Sequence, residues 1–539
     1  MNSKILFALY LFFLIQSVYS QVPGIATSNL TLVVINTNGQ TIKDAAKIPA
    51  NMKIIFNGAG KLNTPSDPGN VYSGNVGIEI RGAYSASLPQ KPYSFETRDQ
   101  AGNNRDVSLF GMHEENDWIL LANYNDKTFM RNMLAFELFR KFGHYAPRTQ
   151  LVEVIVNNEY RGIYILTEKI KRDKGRVDIA KLTTTDISGD FVSGGYIFKI
   201  DYYDNSNSWK SNFTPIDYPS KPVYYVYEDP APADLVYQQK NYLKLAVSSF
   251  EGMLYTPDFA NKSNGYPAWI DVNSFLDYFI VSEVSRNVDG FKKSCYFFKD
   301  RNSLGGKINA GPVWDFDWAW KNIWDCSTFA ATDGSGWSYK INDCGNIYPN
   351  SNGWTVRLLQ DPEFAAALNK RYFELRNSFL SFGYLQSYID SVKSLVNEAQ
   401  VRHYTKWPIL SQSVGAPEVD IQPSTYAGQV AMFSEWIKTR LKWLDANMPG
   451  KSFNSVEPEL PNFSYRIFPN PASEIVYLEA SSEINEIEVF QNTGERSIHL
   501  SALATFEVQL NISDLKPGIY LVRLKLKGQL PINSKLIIQ

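Results

Sequence analysis

Histidine and cysteine are scarce in this chain, with 4 and 3 copies among 539 residues. Ligands that few are scattered and lack the spacings of a thiolate or imidazole zinc site, which excludes that chemistry. A surplus of base is also missing. The formal net charge is −2 and no local basic patch stands out, so nothing points to a nucleic-acid or anionic-membrane partner. Neither GxGxxG nor GxxxxGK[ST] occurs, so no phosphate-cradling loop of those kinds is expected. After the first twenty residues no apolar run is long enough to cross a bilayer.

What is present reads as globular. Hydrophobic residues make up 44% and charged residues 20%, and the length implies two or more domains. The aromatic content of 14% favours β-rich structure and aromatic-lined surfaces, although many of these rings belong in cores. Lys4, the apolar run Ile5 to Ile15, and small residues at Val18 and Ser20 read as a signal peptide over 1–20. The alternative is a buried N-terminal element. Export permits a disulfide, and Cys326 and Cys344, flanking a Gly/Ser/Asn-rich loop, are the expected pair, with Cys295 buried and reduced.

Residues 28 to 200 pattern mainly as strands: 30–36, 52–56, 76–81, 91–97 and 195–200. A hairpin is expected from 151–156 and 160–168, turned by Asn157 and Asn158, and one helix over Arg131 to Phe142 stops at Gly143. The pattern is helical from 233 to 288, with a helix over Ile270 to Asp289 capped by Asp271 or Asn273. Strands over 294–299 and 307–314 follow, and 361–448 is again helical. A proline-containing linker at 449–462 precedes a β-patterned module, 463–539, read as a small antiparallel sandwich with strands at 474–479, 486–491, 505–510, 519–527 and 534–538.

The chemistry concentrates at Trp314-Asp315-Phe316-Asp317. Two carboxylates two residues apart after an apolar strand share one face of an extended chain. They repel unless a cation lies between them, which suggests a hard metal such as Mg²⁺ or Mn²⁺. Equally open on the residues alone, one carboxylate caps the following segment while the other pairs with a Lys or Arg. Upstream, Asp289 precedes a short loop, a strand, a turn and a second strand leading to Asp315. Protein kinases order a base Asp, an Asn five residues later and a metal Asp in this way.

Several further motifs carry a resemblance. These are Arg81-Gly82 with Gln90-Lys91-Pro92-Tyr93, Trp118 to Asn123, Asp126-Lys127 with Met130-Arg131-Asn132, Arg161-Gly162-Ile163-Tyr164 leading to Glu168-Lys169, Asn287-Val288-Asp289, and Trp314 to Asp317. Together they resemble the spore-coat protein H (CotH) kinase-like family over residues 28 to 448. The resemblance implies an α+β, atypical protein-kinase-like domain that binds ATP with Mg²⁺ or Mn²⁺ and phosphorylates Ser or Thr of a protein substrate. It assigns Asp289 as catalytic aspartate and Asp315 as metal ligand, with Asp317 supporting. Lys91 is the first choice for the phosphate cation, with Arg81 assisting, Lys169 as alternative and Glu168 orienting either lysine. The alternative for Arg81, Arg131 and Arg161 is structural ion pairing, and for Trp118 and Trp314 it is core packing rather than an adenine platform. Phe468-Pro469-Asn470-Pro471-Ala472, Gly518-Ile519-Tyr520 and the closing Lys535 to Gln539 resemble the C-terminal sorting domain of the type IX secretion system of Bacteroidetes. That implies passage across the outer membrane and a secreted or surface-attached product; the alternative is a carbohydrate-binding sandwich.

One position departs from the kinase pattern. Ser294 stands five residues after Asp289, where a kinase-type Asn would hold metal, and a hydroxyl is a poorer ligand. A binding protein with little catalysis therefore competes with the kinase reading, as does a glycoside hydrolase using Asp289 with Asp315 or Asp317.

Overall fold

The structure, a computed structural model, describes residues 25–345, 347–451, 465–491, 495–527 and 531–539. The segment read as a signal peptide and residues 452–462 of the linker lie outside the described residues. Contacts divide the chain into two compact units, Met1–Lys451 and Ser452–Gln539.

In the first unit seven strands close into a barrel: β1 (Thr31–Asn36), β2 (Ile48–Ile55), β3 (Tyr72–Ile80), β4 (Tyr93–Arg98), β5 (Asp117–Ala122), β6 (Thr149–Val156) and β7 (Glu159–Glu168). Their order around the barrel is β1-β2-β3-β4-β5-β7-β6, and parallel pairing of β1 with β6 forms the seam. Period-2 patterning supplies the interior: Val33, Ile35, Met52, Ile54, Val76, Ile78, Val152 and Val154 join one core, while Leu32, Ile55 and Ile155 face outward into another. Strand β5, read from sequence only as a motif, puts Trp118 and Leu120 inside and Ile119 against the main helical core.

Helix α1 (Arg131–Lys141) connects β5 to β6. A second, all-antiparallel sheet runs in the order β12-β11-β8-β10-β9, where β8 is Tyr196–Ile200, β9 Ser208–Lys210, β10 Tyr224–Asp229, β11 Cys295–Lys299 and β12 Ile308–Ala310. The remaining α-helices of this unit are α2 (Tyr237–Leu254), α3 (Val272–Val284), α4 (Ser327–Ala330), α5 (Trp354–Leu358), α6 (Pro362–Arg376), α7 (Phe382–Leu395), α8 (Ala399–Lys406) and α9 (Tyr426–Asn447). Side-chain caps start several helices: Asp271 accepts from the Ser274 amide, Asp361 from Glu363, Ser381 from Tyr384 and Thr425 from Gly428. Cys326 and Cys344 are bonded, and Cys295 is buried and free.

Two sequence expectations are shortened. Helix α3 ends at Val284, not Asp289, because Arg286 takes a left-handed conformation (φ 44°) and turns the chain. Strand β12 ends at Ala310, since Gly311 has φ 113° and Pro312 has no N–H for a ladder.

In the second unit β13 (Tyr465–Phe468), β14 (Ile475–Gln491), β15 (Arg496–Asn511), β16 (Gly518–Leu526) and β17 (Ile532–Ile538) form one antiparallel hydrogen-bonded sheet. The expected strands 474–479 and 486–491 are halves of β14, which shifts register between Glu479 and Ile484. The module read as a small antiparallel sandwich is thus all-β and antiparallel in its strand pairing among the described residues. Val476, Leu478, Ile487, Val489, Val522 and Leu536 form its core.

The seam of the barrel is held from outside by α8. Glu153, fully buried on β6, pairs with Arg402 at 2.7 Å and accepts from the Tyr160 hydroxyl at 2.7 Å, so its charge is answered where water cannot reach. His403 beside it accepts from the Ile163 amide at 3.0 Å, and burial lowers its pKa to about 3, which keeps it neutral. Gly162 (φ 105°) lies against it, with a Cβ there falling 2.9 Å from His403 Nδ1 and 3.0 Å from Trp407 Nε1. Gly162→Ala should therefore cost about 1–3 kcal/mol through strain and displaced hydrogen bonds. An unchanged denaturant midpoint would contradict that packing.

Candidate functional site: an acidic cleft

Between the loop that follows β3 and the loops at the end of the second sheet lies a cavity of about 480 Å³, lined by Arg81, Asp201, Asp289, Ser294, Asp315 and Asp317 among others. It adjoins a second cavity of about 300 Å³ lined by Lys169, Ile80, Ile119, Ile170 and Asp117. Arg81, Gly82, Tyr296 and Trp314 line both.

Asp289 stands in the turn between α3 and β11 and is only 5% exposed. Its amide donates to Asn287 Oδ1 at 3.1 Å, while Asn287 Nδ2 donates to the Asp315 carbonyl at 3.3 Å, so one amide side chain ties the two acidic loops together. Lys293 Nζ lies 2.8 Å from its Oδ2 and Lys292 Nζ 3.5 Å from its Oδ1. Burial opposes the Lys293 charge, but Asp289 and Asp315 outweigh it and hold its pKa above the ordinary lysine value.

Asp315 and Asp317 do not share a face of an extended strand, which corrects the sequence expectation. Asp315 has φ 67°, so the chain turns there, and the Phe316 amide is fixed by donating to Asn132 Oδ1 at 2.7 Å. Both carboxylates nevertheless reach the same cavity. Ser294 Oγ donates to Asp315 Oδ2 at 3.2 Å, and Asn125 Nδ2 donates to Asp317 Oδ2 at 2.9 Å. Burial first, and then repulsion by Asp317, pushes the Asp315 pKa up to about 8; Lys293 works in the opposite direction.

The other expected residues divide. Arg81 lies over Trp314, 5.5 Å from the ring centroid, and has no carboxylate in ion-pair range among the described residues. Arg131 and Arg161 do pair, with Asp126 at 3.3 Å and Glu159 at 2.9 Å. Lys169 lines the second cavity. Lys91 lines neither, and its ammonium donates to the Ala86 carbonyl at 2.9 Å. Glu168, fully buried, pairs with Arg148 rather than with either lysine (3.1 Å from Arg148 Nε). Trp118 is core, while Trp314 stacks on Phe136 at 5.5 Å and also borders both cavities.

Sequence reasoning missed Lys199, which lines the cleft between Asp201 at 3.0 Å and Glu228 at 2.9 Å. Charged residues at the end of the otherwise apolar β8 were its only signal. It also passed over Lys292 and Lys293 as partners of Asp289, although their i+3 and i+4 spacing was readable.

Buried carboxylates, a guanidinium with no carboxylate partner among the described residues and an adjoining cavity define an α+β protein with an acidic cleft. The CotH kinase protein family matches residues 78–444, more than half of the chain, and the chain belongs to that family. The Secretion system C-terminal sorting domain matches residues 466–539, which marks the protein for export by type IX secretion, to the cell surface or beyond. No curated protein matches the chain. Among the described residues no helix is long and apolar enough to cross a membrane.

The family suggests metal and nucleotide, and the donor set can be tested against a metal. It is oxygen-only, as Mg²⁺ and Mn²⁺ prefer, and the repulsion that raises the Asp315 pKa is what a cation would relieve. No three acidic groups of the cleft bring ligand atoms within 4.8 Å of one another; the one such group among the described residues is Glu486, Glu488 and His499 in the second unit. Two carboxylates completed by phosphate oxygens and water suit Mg²⁺ better than an all-protein cage, so the residues fit.

A carboxyl whose folded pKa lies above its ordinary 3.8 favours folding while protonated. That contribution is complete below about pH 4 and is lost as pH rises toward about 8. Metal-free Asp315→Asn should be more stable than the parent at pH 8, with the gap closing toward pH 4. Parallel unfolding-versus-pH curves for the two proteins would contradict the environment described.

Proposed function

We propose that the protein is an exported, atypical kinase-like enzyme that transfers a phosphoryl group from ATP, with Mg²⁺ or Mn²⁺, to a Ser or Thr hydroxyl of a protein. The observation that carries this reading is that Asp289, Asp315, Asp317 and Arg81 line one cavity within the family-matched segment. Asp315 would hold the metal with Asp317 supporting, and Ser294, hydrogen-bonded to Asp315, would orient that ligand more than bind. When bound, the metal supplies charge neutralisation at the phosphates.

Asp289 would orient the attacking hydroxyl and accept its proton. Lys292 and Lys293 hold its carboxylate and add positive charge where phosphoryl oxygens gain negative charge. Arg81, with no carboxylate partner among the described residues, is the best placed cation for phosphate, and Lys169 would face the nucleotide from the adjoining cavity, whose lining mixes Ile80, Ile119 and Ile170 with charged side chains. Lys91 and Glu168 would act through the backbone they brace, at the Ala86 carbonyl and the Arg148 amide.

A second reading, a surface binding protein with little catalysis, draws on Ser294 and on Tyr202 and Tyr348, 45% and 54% exposed, which line the same cleft. Mn²⁺-dependent ATP binding and autophosphorylation separate the two. The kinase reading expects both, with Asp289→Ala lowering phosphorylation about a hundredfold or more while ATP still binds, and Asp315→Ala weakening metal-dependent binding. A wild-type protein that binds no nucleotide with either metal would overturn it.

A further inference from the structure

Asn125 follows β5 in a tight turn and is 2% exposed. Its side-chain amide donates to Asp317 Oδ2 at 2.9 Å across 192 residues of sequence. The residue is clamped on two other sides. Its carbonyl accepts from the buried Lys321 ammonium at 3.0 Å, and Gly415 (φ 73°) packs so closely that a Cβ there would fall 2.3 Å from Asn125 Cβ. The segment carrying Gly415 is itself anchored, since Glu418 pairs with Lys127 at 2.7 Å and with Lys321 at 3.5 Å, and all three side chains are buried.

An amide fixes a carboxylate's rotamer without cancelling its charge. A lysine or arginine at this place would hold Asp317 equally well but would neutralise the charge a cation needs. We infer that Asn125 is a positioning residue that aims Asp317 at a divalent cation in the acidic cleft, with the buried Lys127–Glu418–Lys321 cluster and Gly415 holding Asn125 in place. The inference rests on the metal part of the proposed function.

Mn²⁺ titration of the full chain, read by the electron paramagnetic resonance of free Mn²⁺ with and without ATP, tests it well below the unfolding midpoint. Asn125→Ala should bind Mn²⁺ about 10- to 100-fold more weakly than the parent, and Asn125→Ser, which keeps a shorter donor, should recover part of the loss. Gly415→Ala, which displaces Asn125 without removing its amide, should weaken binding in the same direction. If the parent binds Mn²⁺ and folded Asn125→Ala and Asn125→Ser bind it equally well, the positioning role is wrong. If Asn125→Ala does not fold, the Asn125→Ser and Gly415→Ala affinities decide. No Mn²⁺ binding by the parent would overturn the metal reading and this inference together.

Discussion

Negative charge gathered where water is excluded must be answered nearby, and that requirement organises the first unit. Asp289 is answered by Lys293 and Lys292, Asp201 and Glu228 by Lys199, and Glu418 by Lys127. The Asp289 pairs stay within the turn after α3, whereas Lys199–Glu228 ties β8 to β10 and Lys127–Glu418 ties the segment after β5 to the one carrying Gly415. Asp315 and Asp317 are answered least. They receive hydrogen bonds from Ser294 and Asn125, which are neutral donors, while Lys293 acts on Asp315 through its charge without a direct ion pair.

The family motifs become intelligible as supports for this arrangement. Asn132, in the segment after Asp126-Lys127, fixes the Phe316 amide between the two aspartates. Arg131 donates to the carbonyls of Ala319 and Trp320 at 2.7 and 2.6 Å, holding the chain just beyond them. The disulfide loop is gripped in a similar way. Buried Arg286 donates to the carbonyls of Ala331 and Ser335, and Arg440 to those of Gly334 and Gly336, so two guanidiniums and a covalent bond fix the stretch that begins beside Asp325.

Much of the strand content was legible because period-2 alternation is local, and the β6–β7 hairpin, α1 and the Asp271 cap follow from short-range signals. Barrel closure was not, because the pairing of Leu32 with Glu153 joins residues whose separation carries no periodic mark. The bounds of α3 and β12 failed at Arg286 and Gly311, where one backbone angle outweighed a continuing apolar pattern. At the site, Asp289, Asp315 and Asp317 were chosen for their chemical type and do line one cavity. Lys91 was chosen because it lies within the Gln90-Lys91-Pro92-Tyr93 motif, but the direction of its side chain depends on the Ala86 carbonyl, which spacing does not reveal. Asn125 had no signal of its own, since its meaning arises only when Asp317 arrives from 192 residues away.

The parallel seam between β1 and β6 also matters for a protein that must persist outside the cell. An open sheet carries two rows of unpaired backbone donors and acceptors, each able to recruit a neighbour's strand. Here the seven-stranded sheet closes on itself, so it offers no template of that sort. Copies crowded on a cell surface, beyond the reach of cytoplasmic chaperones, are protected by topology against polymerising strand to strand through this barrel.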